Sequence, residues 1–177
     1  MKQAGEGATV IQLRKILVPV DFSAFSERAL DSACSLAEQF EAEVHLLYVS
    51  DAFSCVFPEV GMPTYGTGEF LAQQAAIASD RLLTLPGAQR QGGLTIVRQI
   101  RDGTPYAEII NYADEESVDL IVMGTHGRSG LEHVLLGSVA THVVRESPCP
   151  VMTVPGTASD FSTADEQSGD ENSAVFG

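Results

Sequence analysis

Short apolar runs alternate along the chain with segments whose apolar residues return at helical spacing. Runs of this length, rich in β-branched residues, are typical of buried strands, and the helical segments are long enough to cover a sheet. The predicted strands are 15–20, 43–50, 94–101, 119–123 and 149–154, and the predicted helices are 23–40, 70–85, 106–116 and 138–146. This alternation predicts an open α/β fold: a five-stranded parallel sheet with helices on both faces, which binds ligands at the carboxyl ends of its strands.

Three segments do not fit this alternation. Residues 1–13 have no clear period and predict a flexible N-terminal arm, and residues 156–177 carry five acids without Lys or Arg, which predicts a disordered acidic tail. Residues 53–68 mix proline and glycine with large apolar side chains, which predicts a long loop. That loop either packs against the sheet edge or serves as a lid or partner surface. A single domain over 14–155 remains.

The charge and the cysteine content of the chain limit the kinds of partner and the cellular compartment that we expect. The 177 residues carry a net charge of −14, with 10 Lys and Arg against 24 acids, which argues against binding to nucleic acid or to an anionic membrane. Cys34, Cys55 and Cys149 form no even disulfide framework and lie in or near apolar patterns, as expected of thiols in a reducing compartment. Without a long apolar run or a signal peptide, we expect a soluble cytoplasmic protein.

A glycine-rich stretch carries the clearest chemistry. The apolar strand 119–123 leads into Gly124, Gly127 follows, and Gly137 and Ser138 open the next helical segment. Glycines let the backbone approach a ligand closely, and the unpaired N–H groups of a helix N-terminus favour an anion. The stretch therefore predicts a phosphate-binding loop. It contains no GxxxxGK[ST] sequence, so it lacks the lysine that P-loop enzymes place on the outer phosphates.

The spacing G-2x-G-9x-G-S resembles the ATP-binding branch of the universal stress protein family. The resemblance extends to KILVPVDFS at 15–23, VDLIVMGTHGR at 118–128 and PCPVMTVP at 148–155, and it covers about 14–155. It implies a Rossmann-like sheet, similar to the adenine nucleotide alpha hydrolases, with strand order 3-2-1-4-5. ATP or another adenine nucleotide is then expected between strands one and four, with Mg²⁺ held mainly by the phosphates. The resemblance also implies a homodimer through 151–154, because an apolar edge strand otherwise stays exposed.

Carried onto this chain, the resemblance implies a set of nucleotide-binding residues. Pro19, Val20 and Asp21 are expected beside the nucleoside, with the Asp21 carboxylate accepting from ribose hydroxyls, and Val49 is expected to meet adenine through its backbone. The residues implied around the ribose and phosphates are Met123, Gly124, His126, Gly127, Arg128, Gly137, Ser138 and Val139. Val20 stands where the family often has a small hydroxyl residue, so one polar contact is lost.

Simpler roles stay open for several of these residues. Asp21 is also suited to cap the first helix, and Gly124 and Gly127 to serve as turn residues. Ser138 alone is typical of a helix N-cap, and Arg128 of a solvated surface charge. Val20, Val49, Met123 and Val139 suit the core of any α/β domain.

Neither a metal site nor a nucleophile emerges from the sequence. His133 and His142 are nine residues apart, which places them on opposite faces of a helix, while His45 lies in a strand and His126 in a loop. The sequence around Ser129 does not complete G-x-S-x-G. We therefore predict a nucleotide-dependent stress-response or regulatory module, whose bound ATP changes its association with an unidentified protein partner. The alternative is a slow ATPase or nucleotidyl-transferring enzyme, with Asp21 or His126 as its base.

Overall fold

The computed structural model describes residues 12–51, 67–87, 93–127 and 136–156, in which strands and helices alternate. The elements are β1 (Lys15–Pro19), α1 (Ala24–Phe40), β2 (Glu43–Ser50), α2 (Thr67–Thr84), β3 (Ile96–Asp102), α3 (Pro105–Glu115), β4 (Leu120–Gly124), α4 (Ser138–Glu146) and β5 (Val151–Val154). Their types and order are as predicted. Helix α2 begins at Thr67 rather than Phe70, so Gly68 is helical and does not belong to the expected loop.

Several sequence predictions lie outside the described residues. They concern most of the N-terminal arm, the loop residues 53–66, the acidic tail beyond residue 156, Cys55, Arg128 and His133. The domain limits therefore stay a prediction. None of the helices within the described ranges is both long and apolar enough to cross a membrane.

The strands form one parallel sheet in the order β3-β2-β1-β4-β5, which confirms the predicted fold. Strand β1 lies at the centre, paired with β2 on one side and β4 on the other. Pro19 ends β1 without an N–H, and the next residue resumes the pairing, since the Val20 N–H donates to Leu47 O at 2.9 Å. The carboxyl ends of β1, β2 and β4 therefore meet at one edge of the sheet.

Both faces of the sheet are buried at its centre. On β1, Ile16 and Val18 face the core cluster formed with α1, while Leu17 faces the cluster formed with α3 and α4. All three side chains are fully buried, because successive residues of a strand point to opposite faces and helices cover both of them. This explains the continuous apolar runs in the sequence.

Helix α1 begins immediately after the end of β1. Ser23 is its N-cap, and the Ser23 side chain accepts from the Ser26 N–H, as the sequence predicts. The N-cap position belongs to Ser23 and not to Asp21, so the capping role suggested for Asp21 is wrong; the Asp21 carboxylate accepts from the Ser23 N–H and hydroxyl. Thr104 is the N-cap of α3 by position, but its side chain makes no capping hydrogen bond.

His45 is buried on β2 below the sheet edge and contacts the α3 residue Tyr112. The His45 Nδ1 atom lies 2.8 Å from the Tyr112 hydroxyl oxygen, and the Arg101 guanidinium lies 4.7 Å from the centre of the Tyr112 ring. Burial raises the pKa of Tyr112 to about 12. His45 is therefore part of a core hydrogen bond, and no cluster of His, Cys, Asp and Glu in the described part of the chain could hold a metal ion.

Candidate functional site

A cavity of about 360 Å³ opens at the carboxyl edge of the sheet, between β1, β2, β4 and the start of α4. Of the residues that the sequence predicts for the site, those lining the cavity are Pro19, Val20, Asp21, Val49, Met123, Gly124, His126, Gly127, Gly137, Ser138 and Val139. Arg128, the other predicted residue, is outside the described part of the chain. Residues far apart in the sequence thus converge on one concave surface.

The first turn of α4 supplies backbone donors to the cavity. Its first intrahelical hydrogen bond runs from the Thr141 N–H to Gly137 O at 2.9 Å, so the N–H groups of Ser138, Val139 and Ala140 precede the helical ladder. These N–H groups and the exposed Ser138 hydroxyl lie at the positive end of the helix dipole. This arrangement suits a phosphate group.

Gly137 lines the cavity, and its backbone N–H is bonded within the chain. Gly137 is the N-cap of α4, and its N–H donates to Thr125 O at 2.8 Å. Thr125 in turn donates its own N–H to Val154 O at 3.1 Å. The Gly137 N–H therefore ties the start of α4 to the end of β4 and is not available as a phosphate donor in this conformation.

Gly124 and Gly127 are required by close contacts that differ in kind. A Cβ atom at Gly124 would lie 2.9 Å from Phe25 Cβ, so this glycine lets the start of α1 pack directly on the end of β4. A Cβ atom at Gly127 would lie 2.8 Å from Asp21 Oδ2, so this glycine makes room for a carboxylate of the cavity. Gly124 thus shapes the fold beneath the cavity, and Gly127 shapes the cavity itself.

The Asp21 carboxylate is held between two segments of the cavity wall. Its Oδ1 atom accepts from the Ser23 N–H at 3.0 Å and from the Ser23 hydroxyl at 2.6 Å, while Oδ2 lies against Gly127. An ionised carboxylate only accepts hydrogen bonds, so Asp21 contributes an acceptor group to the cavity that it lines. The turn from Asp21 to Ser23 therefore fixes the direction of this carboxylate.

Phe22, at the middle of that turn, has a left-handed backbone with φ 64°. For a residue other than glycine this conformation costs about 1–2 kcal/mol. The Phe22 ring stacks on Tyr48 of β2, with ring centroids 5.0 Å apart, and the Arg81 guanidinium of α2 lies 4.2 Å from the Phe22 centroid. Tyr48 also lines the cavity.

Thr125 and His126 follow β4 and line the cavity. The His126 ring lies 5.6 Å from the Phe25 ring, and the His126 Nδ1 atom is 3.1 Å from the Thr125 hydroxyl oxygen. These contacts hold the imidazole at the cavity wall.

Some cavity residues were not predicted. Asp51 follows the end of β2 as Asp21 follows β1, so the same signal, a carboxylate just after a buried strand, would have identified it. Pro105 and Ile109 belong to α3 and reach the cavity through helix packing, for which the sequence pattern carries no signal. They add apolar surface at the end of the cavity near Val49.

The fold and the cavity together define an open parallel α/β domain with a glycine-lined ligand site at the carboxyl ends of its central strands. The sequence model described as the universal stress protein family matches residues 12–155. The chain belongs to the universal stress protein family.

Individual relatives agree with this assignment. The chain is 37% identical over 142 residues to the universal stress protein MJ0531 of Methanocaldococcus jannaschii, covering 80% of this chain and 81% of that protein. It is similar to the solved structure of MJ0577 with a TM-score of 0.73 and 30% identity, over 84% of this chain and 99% of the other. It is also similar to a universal stress protein solved in complex with cAMP, with a TM-score of 0.55 and 26% identity, over 82% of this chain and 99% of that one.

Proposed function

We propose that this chain binds an adenine nucleotide, with ATP as the working ligand, and acts as a nucleotide-dependent regulatory module of the stress response in the cytoplasm. The observation that carries the proposal is the meeting of phosphate donors and a carboxylate in one cavity, since the first turn of α4 and Asp21 both line it. The complex of a 26% identical relative with cAMP supports an adenine nucleotide as the ligand.

The two ends of the cavity suit the two ends of a nucleotide. The phosphates would lie on the N–H groups of Ser138 and Val139 and on the Ser138 hydroxyl, each a charge-assisted hydrogen bond worth about 1.5–3 kcal/mol. The ribose hydroxyls would donate to Asp21, and the base would lie among Val49 and the apolar residues beyond it. A few such local bonds outweigh repulsion from the net charge of −14, because exposed charges are screened beyond about 10 Å.

Magnesium would be held mainly by the phosphates and water. The described residues provide no cluster of carboxylates and histidines for a divalent ion, although Asp21 and Asp51 both line the cavity. In the bound state Mg²⁺ would neutralise phosphate charge, while the chain itself positions the nucleotide.

Isothermal titration with ATP tests the proposal. Ser138→Ala removes the hydroxyl donor without altering the backbone N–H groups, and we expect it to weaken ATP binding about tenfold or more. Ser35→Ala is the matched control, because Ser35 is an exposed residue of α1 whose hydroxyl binds Asp31 O within its own helix. Absence of binding at millimolar ATP, or equal affinities of Ser138→Ala and wild type, would contradict the proposal.

A single-turnover assay with radiolabelled ATP separates binding from the alternative, a slow ATPase or nucleotidyl-transferring enzyme. Asp21 holds Ser23, and His126 lies against Phe25 and Thr125, so both candidate bases have structural contacts. We expect ATP to stay intact on the time scale of its release. Hydrolysis abolished by Asp21→Ala would favour the enzyme.

We further propose a homodimer through β5. This strand is an edge of the sheet. Two large apolar side chains are exposed there, Met152 on β5 (41% exposed) and Val144 on the neighbouring α4 (45% exposed). An exposed apolar edge strand is a surface that proteins usually pair or block. Light scattering at micromolar concentration is expected to give the mass of a dimer, and a monomer would contradict this part of the proposal.

A further inference from the structure

The turn that carries Asp21 has an unusual backbone. Phe22 has φ 64°, a conformation that suits glycine rather than a large side chain. The hydrogen bonds from Ser23 to Asp21 Oδ1 close the turn across Phe22. The direction of the Asp21 carboxylate therefore depends on whether residue 22 keeps its left-handed conformation.

The contacts of the Phe22 ring stabilise that conformation. The ring packs between Tyr48 of β2 and Arg81 of α2, stacked on the phenol at 5.0 Å and covered by the guanidinium at 4.2 Å. We call these three side chains the ring clamp. Both aromatic stacking and a cation over a ring face are attractive, and both are lost if residue 22 rotates to negative φ.

We propose that Phe22 is a positioning residue, which sets through Asp21 how strongly the site discriminates ribose from dideoxyribose in its nucleotide. The ring clamp holds the left-handed turn, and the turn directs the Asp21 carboxylate towards Gly127 and the cavity. This inference rests on the proposed function, in which Asp21 accepts from the ribose hydroxyls. Sequence alone gives no sign of it, because Arg81 and Phe22 are brought together by the packing of α2.

Substitutions at Phe22 separate the effect of losing the aromatic ring from the effect of changing the backbone preference of residue 22. Phe22→Ala removes the ring and keeps a residue that disfavours positive φ, so the turn is expected to relax. Phe22→Gly removes the ring but permits positive φ, so an intermediate effect is expected. Phe22→Tyr keeps the stacked ring and is expected to behave as wild type. Phe40→Ala is the control for ring loss, because Phe40 is a partly exposed residue at the far end of α1.

The decisive readout is the ratio of the Kd for 2′,3′-dideoxy-ATP to the Kd for ATP. In Phe22→Ala this ratio is expected to fall about tenfold from its wild-type value, because hydroxyl bonds to a carboxylate are lost while phosphate bonds remain. The ratio is expected to be unchanged in Phe22→Tyr and in Phe40→Ala. A Phe22→Ala protein that weakens both nucleotides equally would overturn the positioning role, since that pattern is expected of a general structural defect.

A second readout needs no nucleotide. The Ser23 N–H donates to Asp21 Oδ1, so its hydrogen exchange measured by NMR reports the turn directly. Slow exchange in wild type and Phe22→Tyr, with fast exchange in Phe22→Ala, is the expected result, and equal exchange in all three overturns the inference. If wild type binds no ATP while Ser23 exchange responds to Phe22→Ala, the proposed function fails but Phe22 still positions Asp21.

Substitutions at Arg81 test the ring clamp independently, because its guanidinium lies 4.2 Å from the centroid of the Phe22 ring. Arg81→Met keeps the length of the side chain and removes its charge, and the ratio is expected to fall about two- to fivefold, the range for a solvent-accessible cation over a ring. Arg81→Lys is expected to restore most of the ratio. If the ratio of the two Kd values were unchanged in Arg81→Met, the Arg81 guanidinium would not contribute to holding the Phe22 ring.

Discussion

Replacing Gly124 by alanine tests how α1 is placed over the end of β4. The added methyl carbon would lie 2.9 Å from Phe25 Cβ, 3.0 Å from Phe25 C and 3.0 Å from His126 O. Two of these three atoms belong to the backbone and cannot rotate away, so the strand and the helix must separate. Overpacking of this kind costs about 1–3 kcal/mol. We expect Gly124→Ala to lower the free energy of unfolding by that amount.

Urea unfolding followed by circular dichroism measures the effect, with Gly137→Ala as the matched control. A Cβ atom at Gly137 would meet nothing closer than Thr125 O at 3.4 Å, and its φ of −62° suits alanine. The loss of a favourable N-cap residue and the gain from a less flexible unfolded chain nearly offset, so a change within about 0.5 kcal/mol is expected. If both variants unfolded at the same urea concentration as wild type, the contact with Phe25 would not position α1.

Three further substitutions test the described contacts. Gly127→Ala would place Cβ 2.8 Å from Asp21 Oδ2, so it is expected to weaken ATP binding in titration while unfolding in urea stays within about 0.5 kcal/mol of wild type. Tyr112→Phe leaves His45 Nδ1 without its partner at 2.8 Å and is expected to cost about 1–3 kcal/mol in the same unfolding assay. Because the Tyr112 pKa rises from 10.0 to about 12 on folding, this stabilisation is complete below pH 10, and the difference from Tyr112→Phe is expected to shrink as the pH rises from 10 to 12. Met152→Lys places a charge on the β5 edge and is expected to give the mass of a monomer in light scattering.

The positions of the strands were predicted from the pattern of apolar residues, and their order in the sheet from the family resemblance. The central strands β1 and β4 are almost entirely apolar, because strands covered on both faces need apolar residues at successive positions, whereas the edge strand β3 also carries Arg98, Gln99 and Arg101. Periodicity says nothing of which strands are neighbours, so the order 3-2-1-4-5 depended on the spacing of Gly124, Gly127 and Gly137 and on the family that it resembles. The predicted start of α2, Phe70, was three residues too late, since Gly68 weakens the helical pattern before Phe70.

The cavity was predictable where strand ends and glycines mark it. Asp21 lies just after a strand end and Ser138 opens a helix after a glycine loop, so local patterns mark both positions. Val49 has no such mark, and only the family resemblance implied its place in the site. The contact of Gly124 with Phe25 and the bond from the Gly137 N–H to Thr125 join segments that are distant in the chain, and no local pattern reports them. The left-handed backbone of Phe22 belongs to the same class, because nothing about phenylalanine predicts positive φ.

A crystal structure of this chain with ATP tests the central claim most directly. We expect the nucleotide between the ends of β1 and β4, with a phosphate within hydrogen-bond distance of the Ser138 and Val139 N–H groups and a ribose hydroxyl on the Asp21 carboxylate. ATP bound elsewhere on the chain, or a cavity without nucleotide in crystals saturated with ATP, would contradict the account.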